Sequence, residues 1–231
     1  LTPVASTETP EEGTGATTAM HIEATSERGT SKASVNYSAT ASDNYLRTED
    51  AALLTGIGEN AAPRVFTAAD NMAITVNQLQ GQTRIPLGVY ADDNEAVTLT
   101  FHNMDGFREP ALYDAKNQTS TPLYDGYQVM VTGDNFGQYF ITSKGPLVTG
   151  IENVETAEDE IQVYSMIHRQ VVVTANSGIE EITIYSANGT LLRRVTPAGE
   201  TTCTIDGVAS GVAVVMVKTA NNNDTFKIII K

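Results

Sequence analysis

Three histidines, His21, His102 and His168, are the side chains best suited to ligate a metal or move a proton near neutral pH. They fall on separate predicted strands or turns, and no two stand at a metal-ligand spacing along the chain. Each reads as an ordinary strand or surface residue. Asp92-Asp93-Asn94-Glu95 and Asp134-Asn135 put hard oxygen ligands into loops, as calcium sites do. The EF-hand spacing with its terminal Glu is absent, so polar hairpin turns are the favoured explanation. Two carboxylates for glycoside hydrolysis are defined by their separation in space, and among 28 acidic residues the sequence singles out no pair. Tyr113, Tyr124, Tyr127 and Tyr139 offer rings for stacking on sugars, but strand tyrosines more commonly pack on a sandwich, and the chain has no Trp. There is no nucleophile elbow, no H-E-x-x-H and no Walker loop. Gly56-Ile57-Gly58 lacks the third glycine of a dinucleotide fingerprint. The single cysteine, Cys203, excludes an intrachain disulfide and a cysteine zinc site, and its strand-like setting suits a small buried hydrophobe. No catalytic residue, metal site or cofactor is expected.

The elements around these residues read as strands. Met20-His21-Ile22-Glu23-Ala24 and Ala33–Ala39 alternate apolar and polar residues. Further strands are predicted at 64–67, 73–76, 83–90, 96–102, 111–113, 128–132 and 138–142, with turn signals between them. Pro86 suggests an edge strand or a bulge. The segment 49–54 suits at most one helical turn. A seam at Lys144-Gly145-Pro146 leads into an acidic run, Glu155–Glu160, read as linker. Seven more strands are predicted after it, at 161–164, 170–175, 181–186, 191–196, 201–205, 211–218 and 224–231. Asn188-Gly189 signals a type I′ hairpin turn, and Val212–Val217 is apolar on both faces, as a buried central strand would be. Phe226, Ile228 and Ile230 face one way; Lys227, Ile229 and Lys231 face the other. The fold class expected is all-β. It comprises a start of linker type (1–18), an antiparallel β-sandwich (19–146) and an immunoglobulin-like sandwich of about seven strands (147–231).

Composition narrows the partners. The chain has 231 residues, 41% of them apolar, which supports packed cores. Its 14 basic and 28 acidic side chains give a net charge of −14, which disfavours nucleic acid and anionic lipid as binding partners. No stretch approaches the roughly twenty apolar residues of a membrane helix, so direct membrane insertion is not expected. The start at Leu1 and the Thr/Pro/Glu-rich opening suggest a piece of a longer precursor.

The second block carries a resemblance. Ile161-Gln162-Val163-Tyr164, Glu181-Ile182-Thr183-Ile184-Tyr185-Ser186-Ala187-Asn188-Gly189, Ser210-Gly211-Val212-Ala213-Val214-Val215-Met216-Val217 and Phe226-Lys227-Ile228-Ile229-Ile230-Lys231 follow one another in order. Together they resemble the type A C-terminal sorting domain of the type IX secretion pathway of Bacteroidetes. Two departures stand out. The family's Pro-Asn-Pro after the first strand is Ser165-Met166-Ile167 here, and Ala213 stands where an aromatic is usual. The resemblance implies export, display at the cell surface or release from it, and engagement by the type IX secretion machinery. It assigns the signal role to Gly211, Val212, Val214, Lys227, Ile228, Ile229, Ile230 and Lys231. The first sandwich then reads as a non-catalytic adhesion or spacer domain that could meet surface glycans or host proteins. The alternative is a carbohydrate-binding module of a secreted hydrolase whose catalytic domain lies upstream.

Overall fold

The computed structural model describes residues 19–54, 61–146, 161–165 and 169–231, and within them every regular element is a strand. The linker-type start, Gly56-Ile57-Gly58, the acidic run Glu155–Glu160 and His168 lie outside the described residues.

The first sandwich is one sheet folded back on itself. Its outer half is ordered β10 (Tyr127–Thr132), β7 (Ala96–His102), β1 (Met20–Ser26) and β2 (Gly29–Tyr37), all antiparallel. A parallel pairing of β2 with β5 (Met72–Leu79) joins it to the other half, which corrects the expectation of a wholly antiparallel sandwich. That second half continues through β4 (Arg64–Ala69), β6 (Arg84–Tyr90), β11 (Asn135–Thr142), β8 (Ala111–Asp114) and β9 (Thr119–Pro122). Ala51–Ala52 forms a short strand, β3, on β5 where one helical turn had seemed possible. Buried Asp50 sets its geometry, accepting hydrogen bonds from the Leu46 and Gln78 amides at 2.8 and 2.9 Å. Strand alternation supplies the core. Met20, Ile22, Ala24, Val97, Leu99 and Phe101 face Val65, Ile85, Leu87, Val89, Leu112 and Ile141 across the fold. Pro86 lies on an interior strand rather than an edge. It is tolerated because the pairing of β4 with β6 ends at Thr67–Leu87, just short of it.

The second sandwich pairs a three-stranded sheet with a four-stranded one. The first is β12 (Ile161–Tyr164), β13 (Val171–Ala175) and β16 (Thr202–Ile205). The second runs in the order β15 (Leu191–Val195), β14 (Ile179–Ser186), β17 (Gly211–Thr219) and β18 (Asn223–Ile230). Val171, Val173, Ile182, Ile184, Val215 and Ile230 build its core. All seven strands expected from the sequence are present, within a few residues at each end. The turn between β14 and β15 differs. Gly189 has φ 82°, Asn188 has no positive φ, and Ser186 pairs with both Gly189 and Thr190 at 2.9 Å. That is a three-residue loop with a glycine bulge, not a type I′ turn.

The two sandwiches are packed together. Strands β4 and β11 use one face for the first core and the other for a separate cluster of Phe66, Ala68, Phe136 and Phe140, completed by Tyr164 and Val172 of the second sandwich. Strand β13 does the same in reverse, turning Val171 and Val173 inward and Val172 outward. Four sheet layers therefore stack in sequence, and the middle contact is apolar like the two on either side.

Candidate functional site

The residues assigned a signal role form the hairpin β17–β18, which the register pairs as Val212 with Ile229, Val214 with Lys227 and Gly211 with Ile230. Period-two alternation divides them. Ile228 and Ile230 are buried in the core, while Lys227, Ile229 and Lys231 are exposed, as the sequence pattern predicted. The expectation that Val212–Val217 is buried on both faces does not hold. Ala213, Val215 and Val217 are buried, whereas Val212 is 39% and Met216 48% exposed. The strand is central in its sheet, yet no further layer covers the sheet's outer side among the described residues, and a period-two strand cannot bury both faces without one.

Val212, Val214, Met216 and Ile229 share that outer side with Tyr185 and Leu191, because Tyr185 is opposite both Val214 and Leu191. Ile229 is 59% exposed and Leu191 53%. This apolar strip is bounded by Arg194, bonded to Glu181 at 2.7 Å, and by Lys218, paired with Glu180 at 2.6 Å. Strand β18 is an edge strand, and its end is tied down by Lys231, whose carbonyl accepts from the Arg169 amide at 3.0 Å.

The other chemistry-bearing residues are mostly dispersed, apart from Tyr124 and Tyr127, whose rings meet edge-on at 5.5 Å, and one histidine pair. Of the four tyrosines, only Tyr124 is exposed, at 63%. Tyr127 tilts against Phe101 in the core, Tyr113 packs on Phe140 beneath the Arg84 guanidinium, and Tyr139 is half-buried. Burial, and then the neighbouring Asp114, push the Tyr139 hydroxyl above its ordinary pKa. They do not form one stacking platform. In the acidic loop 92–95, the Arg28 guanidinium pairs with Asp92 and lies 3.6 Å from Glu95. Asp134 accepts from the Ala91 amide at 2.7 Å. These carboxylates hold turns together, which is the reading the sequence favoured. Cys203 is half-buried on β16, and burial pushes its thiol up to about 11.

The histidine pair is His21 and His102. They are direct cross-strand partners on β1 and β7, although their separation along the chain gave no sign of it. Only the pairing of β1 with β7, which nothing local encodes, could have revealed it.

A polar cleft of about 440 Å³ also lies where the two sandwiches meet, lined by Asp134, Gln138, Gln170, Glu200, Thr204 and Asp206 among others. Among the described residues no group of three or more His, Cys, Asp or Glu side chains is placed to hold a metal ion.

No protein-family description matches this chain, and no curated protein matches it. Among solved structures it is similar to one described as the central fibronectin-III array of RIM-binding protein. The identity is 10% and the TM-score 0.21, with 73% of this chain and 86% of that chain covered. A superposition that loose carries no argument about what this protein does. The β-sandwich class stands on the strands and cores described above.

Proposed function

We propose that residues 147–231 act as a sorting domain for type IX secretion, and that the sandwich of residues 19–146 is a non-catalytic adhesion or spacer domain carried with it. In this reading the chain is exported and displayed at the cell surface or released, and its first partner is the secretion machinery. The observation that supports it best is the two-sided hairpin. The segment that resembles the family's signal gives Ile228 and Ile230 to the core but turns Val212, Val214 and Ile229 toward solvent. Folding the sandwich requires only the first set. Contiguous exposed apolar side chains are what a recognition surface needs.

The test is export of the full chain fused behind a periplasmic reporter in a bacterium that has the type IX system. Deleting Gly211–Lys231 removes the signal and two strands together, so it is paired with the double substitution Val212→Thr and Ile229→Thr, which leaves both cores intact. Loss of surface reporter in both variants, with the double variant still folded and periplasmic, supports the reading. Surface display in the deletion variant refutes it.

A glycan-binding module is the second reading, favoured by the cleft between the sandwiches. Its carboxylates, amides and hydroxyls are planar or compact hydrogen-bonding groups of the kind that pair with sugar hydroxyls. A glycan array probed with the full chain and with a Gln138→Ala, Thr204→Val variant tests it. Binding that the variant abolishes would establish this function beside or instead of the first.

A further inference from the structure

We propose that His21 and His102 form a surface chelate for a borderline divalent cation such as Zn²⁺ or Ni²⁺. The two residues are Cα partners in the antiparallel pairing of β1 with β7. Side chains directly opposite in such a pair have Cβ atoms about 4.5–5.5 Å apart, within the span of two imidazoles on one metal ion. Both belong to the outer face of the sheet. Their neighbours Met20, Ile22 and Phe101 are fully buried in the core, and alternation therefore turns His21 and His102 the other way.

One imidazole has a carboxylate beside it. His102 Nδ1 lies 3.5 Å from Asp125 Oδ1, and that oxygen also accepts the Asn103 amide hydrogen at 3.0 Å. A carboxylate beside Nδ1 favours the proton there and leaves the Nε2 lone pair available to a metal, as outer-shell carboxylates do in histidine metal sites. The same face also carries Glu23, whose carboxylate pairs with the Lys32 ammonium at 2.5 Å. Glu23 follows His21 on the same face, opposite Thr100 on β7 and Lys32 on β2. With no third His, Cys, Asp or Glu placed to complete a cluster among the described residues, the chelate has two protein ligands and water in its other positions. Imidazole nitrogen selects zinc, nickel and copper over calcium and magnesium.

The experiment uses the full chain without a histidine tag, titrated with NiCl₂ and separately with ZnCl₂ at pH 7.5, following both heat of binding and thermal midpoint. A cation that binds the folded chain raises the midpoint in a concentration-dependent way. The expected result is a rise that EDTA reverses, that His21→Gln and His102→Gln each abolish, and that His168→Gln leaves unchanged. Asp125→Asn, a positioning change, should weaken binding by about tenfold without abolishing it. A wild-type chain that does not respond to either metal overturns the proposal. So does a response that survives in His21→Gln and His102→Gln. Both histidines are on the surface, so their substitution to Gln leaves the core intact.

Discussion

At the residue scale, a few side chains carry the contact between the sandwiches. Gly137 has φ 84°, and a Cβ built there would sit 2.5 Å from Val172 Cγ2. Both the left-handed backbone and the close approach forbid a side chain, so Gly137→Ala should destabilise the protein by about 2–4 kcal/mol. A urea unfolding curve with unchanged slope and a lowered midpoint checks this. Arg84 spans the same seam. Its guanidinium lies 4.6 and 4.7 Å from the Tyr113 and Phe140 ring centres, and it hydrogen-bonds Thr201 at 3.0 Å and also Thr202. Cys203 reads in the sequence as a small buried hydrophobe, and the structure leaves it half-buried on β16. With its thiol pushed up to about 11 by burial, little of it is thiolate at pH 8. Iodoacetamide should therefore label the native chain far more slowly than the chain in urea. Equal rates would show that the thiol is open. The roles of Gly137 and Arg84 were not legible, since each depends on a partner in the other sandwich.

At the element scale, alternation made most strands readable. Ala96–His102 and Asn223–Ile230 follow apolar periodicity that survives in the structure. Strand β9, Thr119–Pro122, was missed because it is exposed throughout and so has no apolar face to signal it. Strand β4 and strand β6 are buried almost throughout, and only the second sandwich explains why both faces of Phe66–Ala69 are covered. The same logic misled at Val212–Val217, where a run apolar on both faces implied a covering layer that the structure does not provide. Hairpin β17–β18 now allows a clean comparison. Ile230→Ala empties a buried site and should lower stability by about 2–4 kcal/mol. Ile229→Ala removes an exposed side chain and should change it by less than about 0.5 kcal/mol. Thermal denaturation of the two variants measures the difference. Similar losses would place Ile229 in a buried environment.

At the scale of the whole molecule, the apolar contact between the two sandwiches predicts that they unfold together. The cluster of Phe66, Phe136, Phe140, Tyr164 and Val172 belongs to neither sandwich alone. Calorimetry of the full chain should show a single unfolding transition, and Arg84→Ala should lower its midpoint or split it in two. Two well-separated transitions in the wild type would show that the sandwiches fold independently. The sequence could not foresee this contact, which depends on β13 turning Val172 away from its own core. The functional reading rests on the same scale, with a folded cargo joined firmly to a hairpin that exposes one apolar face. The measurement that tests it most directly is surface labelling of a reporter fused to the full chain, in isogenic strains with and without the type IX machinery. The account predicts label on the strain that has the machinery and periplasmic retention in the strain that lacks it. Equal labelling of both strains, or retention in both, would contradict it.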